Sequence, residues 1–458
     1  MLKNVPESLY KSGSRAFFCF AYLYNENILH IVGFIISPYN IKGLYLLIVC
    51  LQINGMKLCS ERSGERKQTR DGREKRYVDE PVNAFDFMNE ILEDSGESIT
   101  RFDQISSFLD HKARKNGIPI QGQFELTPLC NFSCRMCYAH LTTEQLSEHT
   151  VLPVFVWKDL MKQAWKAGMI FATLTGGECL AYPEFDELFL YLQSLGCEIT
   201  VLTNGFLLDD ERIRFFRKHM PAKIQITLYG CSDDVYERVT GQRAFNTVIN
   251  NIQKSIEAKL PVIVNVTPNR YLGDDVFETI RIAKSLCKAV TVNSGIFSPR
   301  EETGRSGQQH GSDLDTYIRI YRFLDELEGK ENLMVPEDKL PSAGGPFHEC
   351  SECGLQCGGG RSYYLIDWHG TMMPCNRMTM IRSYPLEEGF LSAWKKINNA
   401  SENWPRVPEC VECPYERVCN NCAGNMQKFI ESGTPPTSLC EETKALVRNG
   451  AKHIPDCE

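Results

Sequence analysis

Cys130-Asn131-Phe132-Ser133-Cys134-Arg135-Met136-Cys137-Tyr138 decides the reading of this chain. Three thiols fall within eight residues, spaced x3 then x2, and an aromatic follows the last of them. Thiolates are the usual ligands of iron–sulfur clusters, and a cubane needs four. This run supplies three, with no fourth cysteine close by. One iron is then left open for a ligand the protein does not provide, which is a catalytic arrangement rather than a storage one. The competing reading is a zinc or structural thiol site, although zinc favours paired C-x2-C modules with closed four-coordination.

Cys-x3-Cys-x2-Cys followed by Tyr resembles the signature of radical SAM enzymes. The resemblance implies that the amino and carboxylate groups of S-adenosylmethionine chelate the open iron. Reductive cleavage then gives methionine and a 5'-deoxyadenosyl radical that takes a hydrogen from a substrate. It also implies roles for residues further on. Thr175-Gly176-Gly177-Glu178 follows an apolar strand, one β/α unit after Cys137. Glycines let a backbone approach a ligand closely, and a carboxylate at a strand end can bind an ammonium group. In the family the matching Gly-Gly-Glu contacts the methionine amino group, so Gly176, Gly177 and Glu178 are candidate cofactor residues. The family has proline next, where this chain has Cys179. Thr203-Asn204-Gly205 ends a further strand, and Asn204 is expected to face the cofactor ribose; the plain alternative is a turn, since Asn and Gly both tolerate positive φ. Tyr138 is expected to pack near the adenine.

Outward from the thiols, strand and helix signals alternate. Strand candidates are Gln123–Thr127, Ile170–Leu174, Glu198–Thr203, Lys223–Leu228, Val262–Thr267 and Val290–Asn293. Helical stretches between them include Phe155–Ala167, Glu184–Leu195, Glu211–His219 and Phe245–Ala258. Six β/α units point to a parallel sheet with crossover helices, in which function sits at the carboxyl ends of strands. The thiol loop, the Gly-Gly-Glu segment and Asn204 all occupy such ends. The expected fold is α/β, which the resemblance specifies as a partial (β/α)6 TIM-like barrel. Gln225, Thr227 and Tyr229 alternate with Ile224, Ile226 and Leu228, so one polar set is expected to line the barrel interior.

A second cysteine set follows. Cys357 precedes Gly370-x4-Cys375, then come Cys410-x2-Cys413-x5-Cys419-x2-Cys422 and finally Cys440. This is similar to the SPASM extension of radical SAM enzymes, which implies two auxiliary [4Fe–4S] clusters. The family spacing has x3 where this chain has x2 between Cys419 and Cys422. By family connectivity the first cluster takes Cys350 or Cys353 with Cys357, Cys375 and Cys422. The second takes Cys410, Cys413, Cys419 and Cys440. The paired C-x2-C modules also read as a zinc ribbon.

The expected organisation is an apolar extension over 1–55, a linker with short helices over 56–117, a radical SAM core over 118–300, a bridge over 301–349 and the cysteine domain over 350–445. The short helices are placed around Phe85–Leu92 and Phe102–Leu109, and a bridge helix near 312–328. The apolar runs before residue 53 are about ten residues each, too short for a helical span of ~20. They read either as upstream sequence before a true start at Met56 or as a membrane-associated extension. The 458 residues carry a net charge of -8 with 43% hydrophobic and 24% charged residues. Nothing in that balance suggests a sequence-independent grip on nucleic acid, and neither nucleic acid nor a membrane is an expected partner. Twelve of the twenty cysteines fall in the two metal-spaced sets, which fits a reducing cytoplasm better than disulfides.

SPASM members mostly modify peptides or proteins. The expected function is maturation of a ribosomally made peptide, with an electron donor such as flavodoxin or ferredoxin. Alternatives are a small-molecule or tetrapyrrole substrate, sulfatase-maturase-like oxidation, and a non-catalytic redox protein. Sulfatase maturases have an aspartate after the cysteine matching Cys375; here it is Asn376, and Asp367 is not a positional match.

Overall fold

In the computed structural model the described residues are 17–25, 28–36, 45–49, 102–139, 151–293, 310–329, 357–411, 422–433 and 435–450, with a few isolated positions that include Cys413 and Cys419. The chain divides into two compact units, Met1–Lys115 and Asn116–Glu458.

In the first unit the apolar runs form strands. β1 (Phe17–Asn25), β2 (Ile28–Ile36) and β3 (Tyr45–Val49) make an antiparallel sheet in the order β1-β2-β3. β1 and β2 pair from Phe17↔Ile36 to Asn25↔Ile28. Aromatic and β-branched residues fill these runs, the composition a pleated sheet favours. Among the described residues no helix is long and apolar enough to cross a membrane. A helix spans Phe102–Asn116, longer than the 102–109 expected. The helix expected around Phe85–Leu92 lies outside the described residues, as does most of the bridge between 294 and 349.

The second unit is built on one sheet. β4 (Gln121–Glu125), β5 (Phe171–Thr175), β6 (Glu198–Thr203), β7 (Lys223–Leu228), β8 (Val262–Val266) and β9 (Val290–Val292) are the six expected parallel strands, within two residues at each end. Two more strands come from the cysteine-rich segment, β10 (Tyr363–Ile366) and β11 (Met372–Met373). The order is β11-β10-β4-β5-β6-β7-β8-β9. β10 runs parallel to β4, from Tyr363↔Gln121 to Ile366↔Phe124. The barrel sheet therefore continues into the segment that the sequence marks as a separate domain.

Crossover helices cover the outer face. Trp157, Leu160, Met161 and Ala164 of helix Val154–Lys166 are buried, as are Phe185, Leu188, Phe189 and Leu192 of helix Phe185–Ser194. Ile224, Ile226 and Leu228 of β7 have no exposed surface. Their neighbours Gln225 and Thr227 are only partly buried, so the inner face is polar and open, as the alternation in β7 indicates. Gln123 and Glu125 of β4 and Asn265 of β8 continue that inner face.

The C-terminal segment is locked to this core by aromatic packing. Tyr364 of β10 meets Phe124, Phe390 and Trp394 at ring separations of 6.2, 5.1 and 5.9 Å. Its phenol ring crosses Gly122, where a Cβ would lie 2.7 Å from Cζ. Trp394 Nε1 donates to the Gly117 carbonyl at 2.8 Å.

Candidate cluster and cofactor site

The thiol loop leaves β4 and is held on two sides. On the β5 side the parallel pairing continues past the strand ends. Leu126 N donates to the Thr175 carbonyl, Gly177 N to Thr127 and Glu178 N to Leu129, at 2.9, 2.6 and 2.8 Å. The chains approach so closely that no side chain fits. A Cβ on Gly176 (φ +149°) would lie 2.5 Å from the Thr127 oxygen, and one on Gly177 would lie 2.6 Å from the Pro128 oxygen. On the other side Ser133 N and Arg135 N donate to the carbonyls of Thr240 and Val239 at 2.8 and 3.0 Å. These end helix Asp233–Thr240, so the loop satisfies carbonyls that a helix end leaves without intrahelical partners. Phe132 anchors the middle among Phe206, Tyr229 and Tyr236, at 5.8, 6.2 and 6.3 Å.

The three thiols share one neighbourhood. Burial pushes Cys130 up to about 12, with the Glu178 carboxylate adding to it. Burial also raises Cys134 well above the usual thiol value, and the nearby Cys137 and Cys130 push the same way. Tyr229, on the strand end singled out by its polar alternation, places its phenol against Cys134. Such thiols are neutral by themselves and release protons when they take up metal. Among the described residues no three His, Cys, Asp or Glu side chains converge on one mononuclear ion. A cubane binds each thiolate through a different iron, so its ligands stand further apart than those of a tetrahedral zinc with Zn–S near ~2.3 Å. Three soft donors in one partly buried loop, with no fourth, fit a [4Fe–4S] cluster with one open iron.

Glu178 sits at the end of β5 and is held by hydrogen bonds on both oxygens. It is 1% exposed. Oε1 accepts from Thr203 Oγ1 at 2.8 Å and Leu180 N at 3.1 Å, and Oε2 accepts from Asn204 N at 2.8 Å. The carboxylate ties the end of β5 to the end of β6. Burial raises its carboxyl above the usual range, opposed by the hydrogen bonds from Asn204, Leu180 and Thr203. Asn204 likewise turns inward: Oδ1 accepts from Phe206 N at 2.9 Å, and Nδ2 donates to Asn131 Oδ1 at 2.8 Å. Tyr138 donates to Glu125 Oε1 at 2.9 Å. Its ring packs with Ala139, Leu141 and Trp368, and Trp368 belongs to the turn between β10 and β11. Cys179 is fully buried, and its thiol donates to the Leu202 carbonyl at 3.2 Å.

The later cysteines gather into two groups. Burial pushes Cys375 up to about 11, and Cys357 and Cys422 are close enough to push it further. Burial also lifts Cys410 to about 11, with Cys413, Cys440 and Cys419 adding to it in that order. Thr443 Oγ1 lies 3.3 Å from Cys419 Sγ. Cys350 and Cys353 lie outside the described residues. Asp367 is taken up by its hairpin turn, where Oδ1 accepts from His369 N and Thr371 N at 3.0 and 2.9 Å. The sequence reading missed Phe132, Thr240, Glu125 and Trp368. Of these, only Glu125 carries a signal in sequence, an acidic residue between Phe124 and Leu126 on the same side of the strand as Gln123.

The parallel α/β sheet thus brings three thiols to the end of its first barrel strand and a glycine cradle to the end of the next. Residues 124–283 match the family described as "Radical SAM superfamily", so this stretch of the chain carries a radical SAM domain. Its relatives include "Sporulation killing factor maturation protein SkfB" of Bacillus subtilis, 31% identical over 36% of this chain and 39% of that protein. The "AdoMet-dependent heme synthase" of Methanosarcina barkeri is 22% identical over 72% of this chain and 97% of that protein. The chain thus spans about two-fifths of the length of SkfB. Among solved structures, Streptococcus suis SuiB bound to S-adenosylmethionine has the same fold, with a TM-score of 0.55 at 16% identity, covering 75% of this chain and 84% of that one. So does anSMEcpe with bound AdoMet and Cp18Cys peptide, with a TM-score of 0.51 at 14% identity over 71% and 95%.

Proposed function

We propose that this radical SAM enzyme matures a ribosomally made peptide. The observation that carries the reading is the presence, in one unit with the three-thiol loop, of two further thiol groups. Cys357, Cys375 and Cys422 form one, and Cys410, Cys413, Cys419 and Cys440 the other. Each would hold an auxiliary [4Fe–4S] cluster, the first completed by Cys350 or Cys353. A cluster held by Cys130, Cys134 and Cys137 would, with S-adenosylmethionine and one electron from a donor such as flavodoxin or ferredoxin, supply a 5'-deoxyadenosyl radical and release methionine. The chain's own residues do the rest of the positioning. Gly176 and Gly177 bring the cradle against the loop, and the polar inner faces of β4, β7 and β8 line the space in which a substrate side chain is held. Oxidative crosslinking of a peptide also requires an electron acceptor for the substrate radical, and closed clusters beside the barrel fit that need. SkfB is by its name a maturation protein of sporulation killing factor, and SuiB is solved "bound to precursor peptide SuiA".

The heme synthase relative favours a second reading, a tetrapyrrole or other small-molecule substrate, because its similarity runs over nearly its whole length. Anaerobically reconstituted protein is expected to hold about twelve irons in three cubanes. With dithionite it should form 5'-deoxyadenosine. Incubation with peptides encoded beside the gene, read by mass spectrometry, should show a loss of about two hydrogens. Turnover of a tetrapyrrole with no change in any such peptide would transfer the assignment to the second reading. Absence of 5'-deoxyadenosine from fully loaded protein would leave a redox protein.

A further inference from the structure

The side chain of Asn204 is bound in a way its position in a turn does not require. Its Oδ1 accepts from Phe206 N at 2.9 Å. This closes a local turn of the kind Asn commonly makes. It also fixes which end of the amide is which, because a backbone N–H cannot donate to an NH2 group. Nδ2 is therefore turned to the thiol loop, and an amide nitrogen carries two hydrogens. One goes to Asn131 Oδ1 at 2.8 Å and the other is directed at Cys130 Sγ, 3.8 Å away. The backbone of Asn204 is in turn held by Glu178 Oε2 at 2.8 Å. Asn204 is 6% exposed and Glu178 is 1% exposed, so water does not compete for these bonds. A chain of contacts runs from the buried carboxylate of the Gly-Gly-Glu segment, through one asparagine, to the first cluster thiol.

We propose that Asn204 is a positioning residue that donates an N–H···S hydrogen bond to Cys130 and thereby raises the reduction potential of the cluster on Cys130, Cys134 and Cys137. The physical reason is charge. Adding one electron makes the cluster and its thiolates more negative, and a hydrogen-bond donor stabilises that state more than the oxidised one. Hydrogen bonds to cluster and ligand sulfur are an established lever on potential. The inference rests on the assignment of this loop as a cluster site. It does not depend on the substrate.

The test is a redox titration of the loaded full-length protein, followed by electron paramagnetic resonance without S-adenosylmethionine. To keep one signal in view, it is done in a background with Cys357→Ala and Cys413→Ala. Asn204→Asp keeps the shape and the Phe206 turn but presents an oxygen to the thiolate. Asn204→Ser keeps a turn-closing acceptor on a side chain too short to reach Cys130. Both should hold the same iron as that background, about four per chain, and titrate at a more negative midpoint. At the wild-type midpoint the reduced-to-oxidised ratio in Asn204→Ser should fall about fivefold, the worth of one ordinary net hydrogen bond. Asn131→Ala, which removes the competing acceptor, should leave the midpoint unchanged or raise it. The same iron as the background with an unshifted midpoint in both Asn204 variants overturns the proposal and reduces the residue to a turn. A Ser variant that is folded by circular dichroism yet cannot hold the cluster also overturns it, because a tuning bond is not needed for ligation. Wild-type protein that takes up no cluster would instead sink the site assignment itself.

Discussion

Gly177 has no room for a methyl group: its Cβ position is 2.6 Å from the Pro128 oxygen and closer still to that of Leu129. Gly177→Ala should cost about 1–3 kcal/mol, the usual penalty of overpacking, because both neighbours are backbone and neither can rotate away. Urea denaturation measures the loss. Iron content after reconstitution should fall with it, since the carbonyl that must move belongs to the stem of the thiol loop. An alanine variant with wild-type stability and iron would show that the loop tolerates displacement. A second residue sets a pH dependence. Burial raises the Glu198 carboxyl above its usual range. The folded chain then holds this proton at pH values where the unfolded chain has lost it, so stability falls as pH rises through that window and stays lower above it. Glu198→Gln should raise Tm near pH ~7, and the gain should vanish well below pH ~4, where wild type is protonated in both states. An equal Tm change at both pH values would mean the carboxylate is not the cause.

At the scale of elements, the decisive one is β10. Four residues from the cysteine-rich segment pair with β4, the strand that launches the thiol loop. Tyr364 carries the joint, with no exposed surface and three aromatic partners. Tyr364→Ala should cost about 3–5 kcal/mol, the range for deleting a buried aromatic ring. Because the sheet is shared, the loss should appear in the main unfolding transition, read by tryptophan fluorescence in denaturant. An early separate transition, with the barrel unchanged, would show that the C-terminal segment is only docked. The same element brings Trp368 to Tyr138 and Tyr363 to Gln123 through a phenol hydrogen bond. One wall of the expected cofactor site therefore comes from far along the chain.

For the whole molecule, the two later thiol groups make a prediction about stoichiometry. If Cys357 and Cys375 serve one cluster and Cys413 another, Cys357→Ala and Cys375→Ala should each remove about four irons, and together no more than either alone. Combining Cys357→Ala with Cys413→Ala should remove about eight. Iron and sulfide determination on refolding-checked protein reads this directly. Additive losses within one group, or no further loss between groups, would mean that the thiols are partitioned differently.

Much was legible before any coordinates. Cluster ligation depends on residue type and spacing, so Cys130, Cys134 and Cys137 are visible in the chain itself. The six barrel strands are visible because each alternates or runs apolar between helix-period segments, as β7 does with Ile224, Ile226 and Leu228. The Gly176–Gly177 cradle is visible too, but its cause is not. The glycines are required by the carbonyls of Thr127, Pro128 and Leu129, fifty residues earlier, and only the parallel pairing of β4 with β5 brings them into contact. The inward turn of Glu178 and Asn204 is likewise a tertiary outcome. Their intramolecular partners are delivered by the fold, Thr203 and Leu180 for Glu178 and Phe206, Asn131 and Cys130 for Asn204. The strand from 363 to 366 escaped the sequence reading because four residues between cysteines carry too little periodicity to register. The sequence by itself determined which chemistry this chain carries, since ligand type and spacing are local. Only the tertiary structure decided what surrounds that chemistry, because hydrogen-bond partners and packing walls are set by which strands lie side by side.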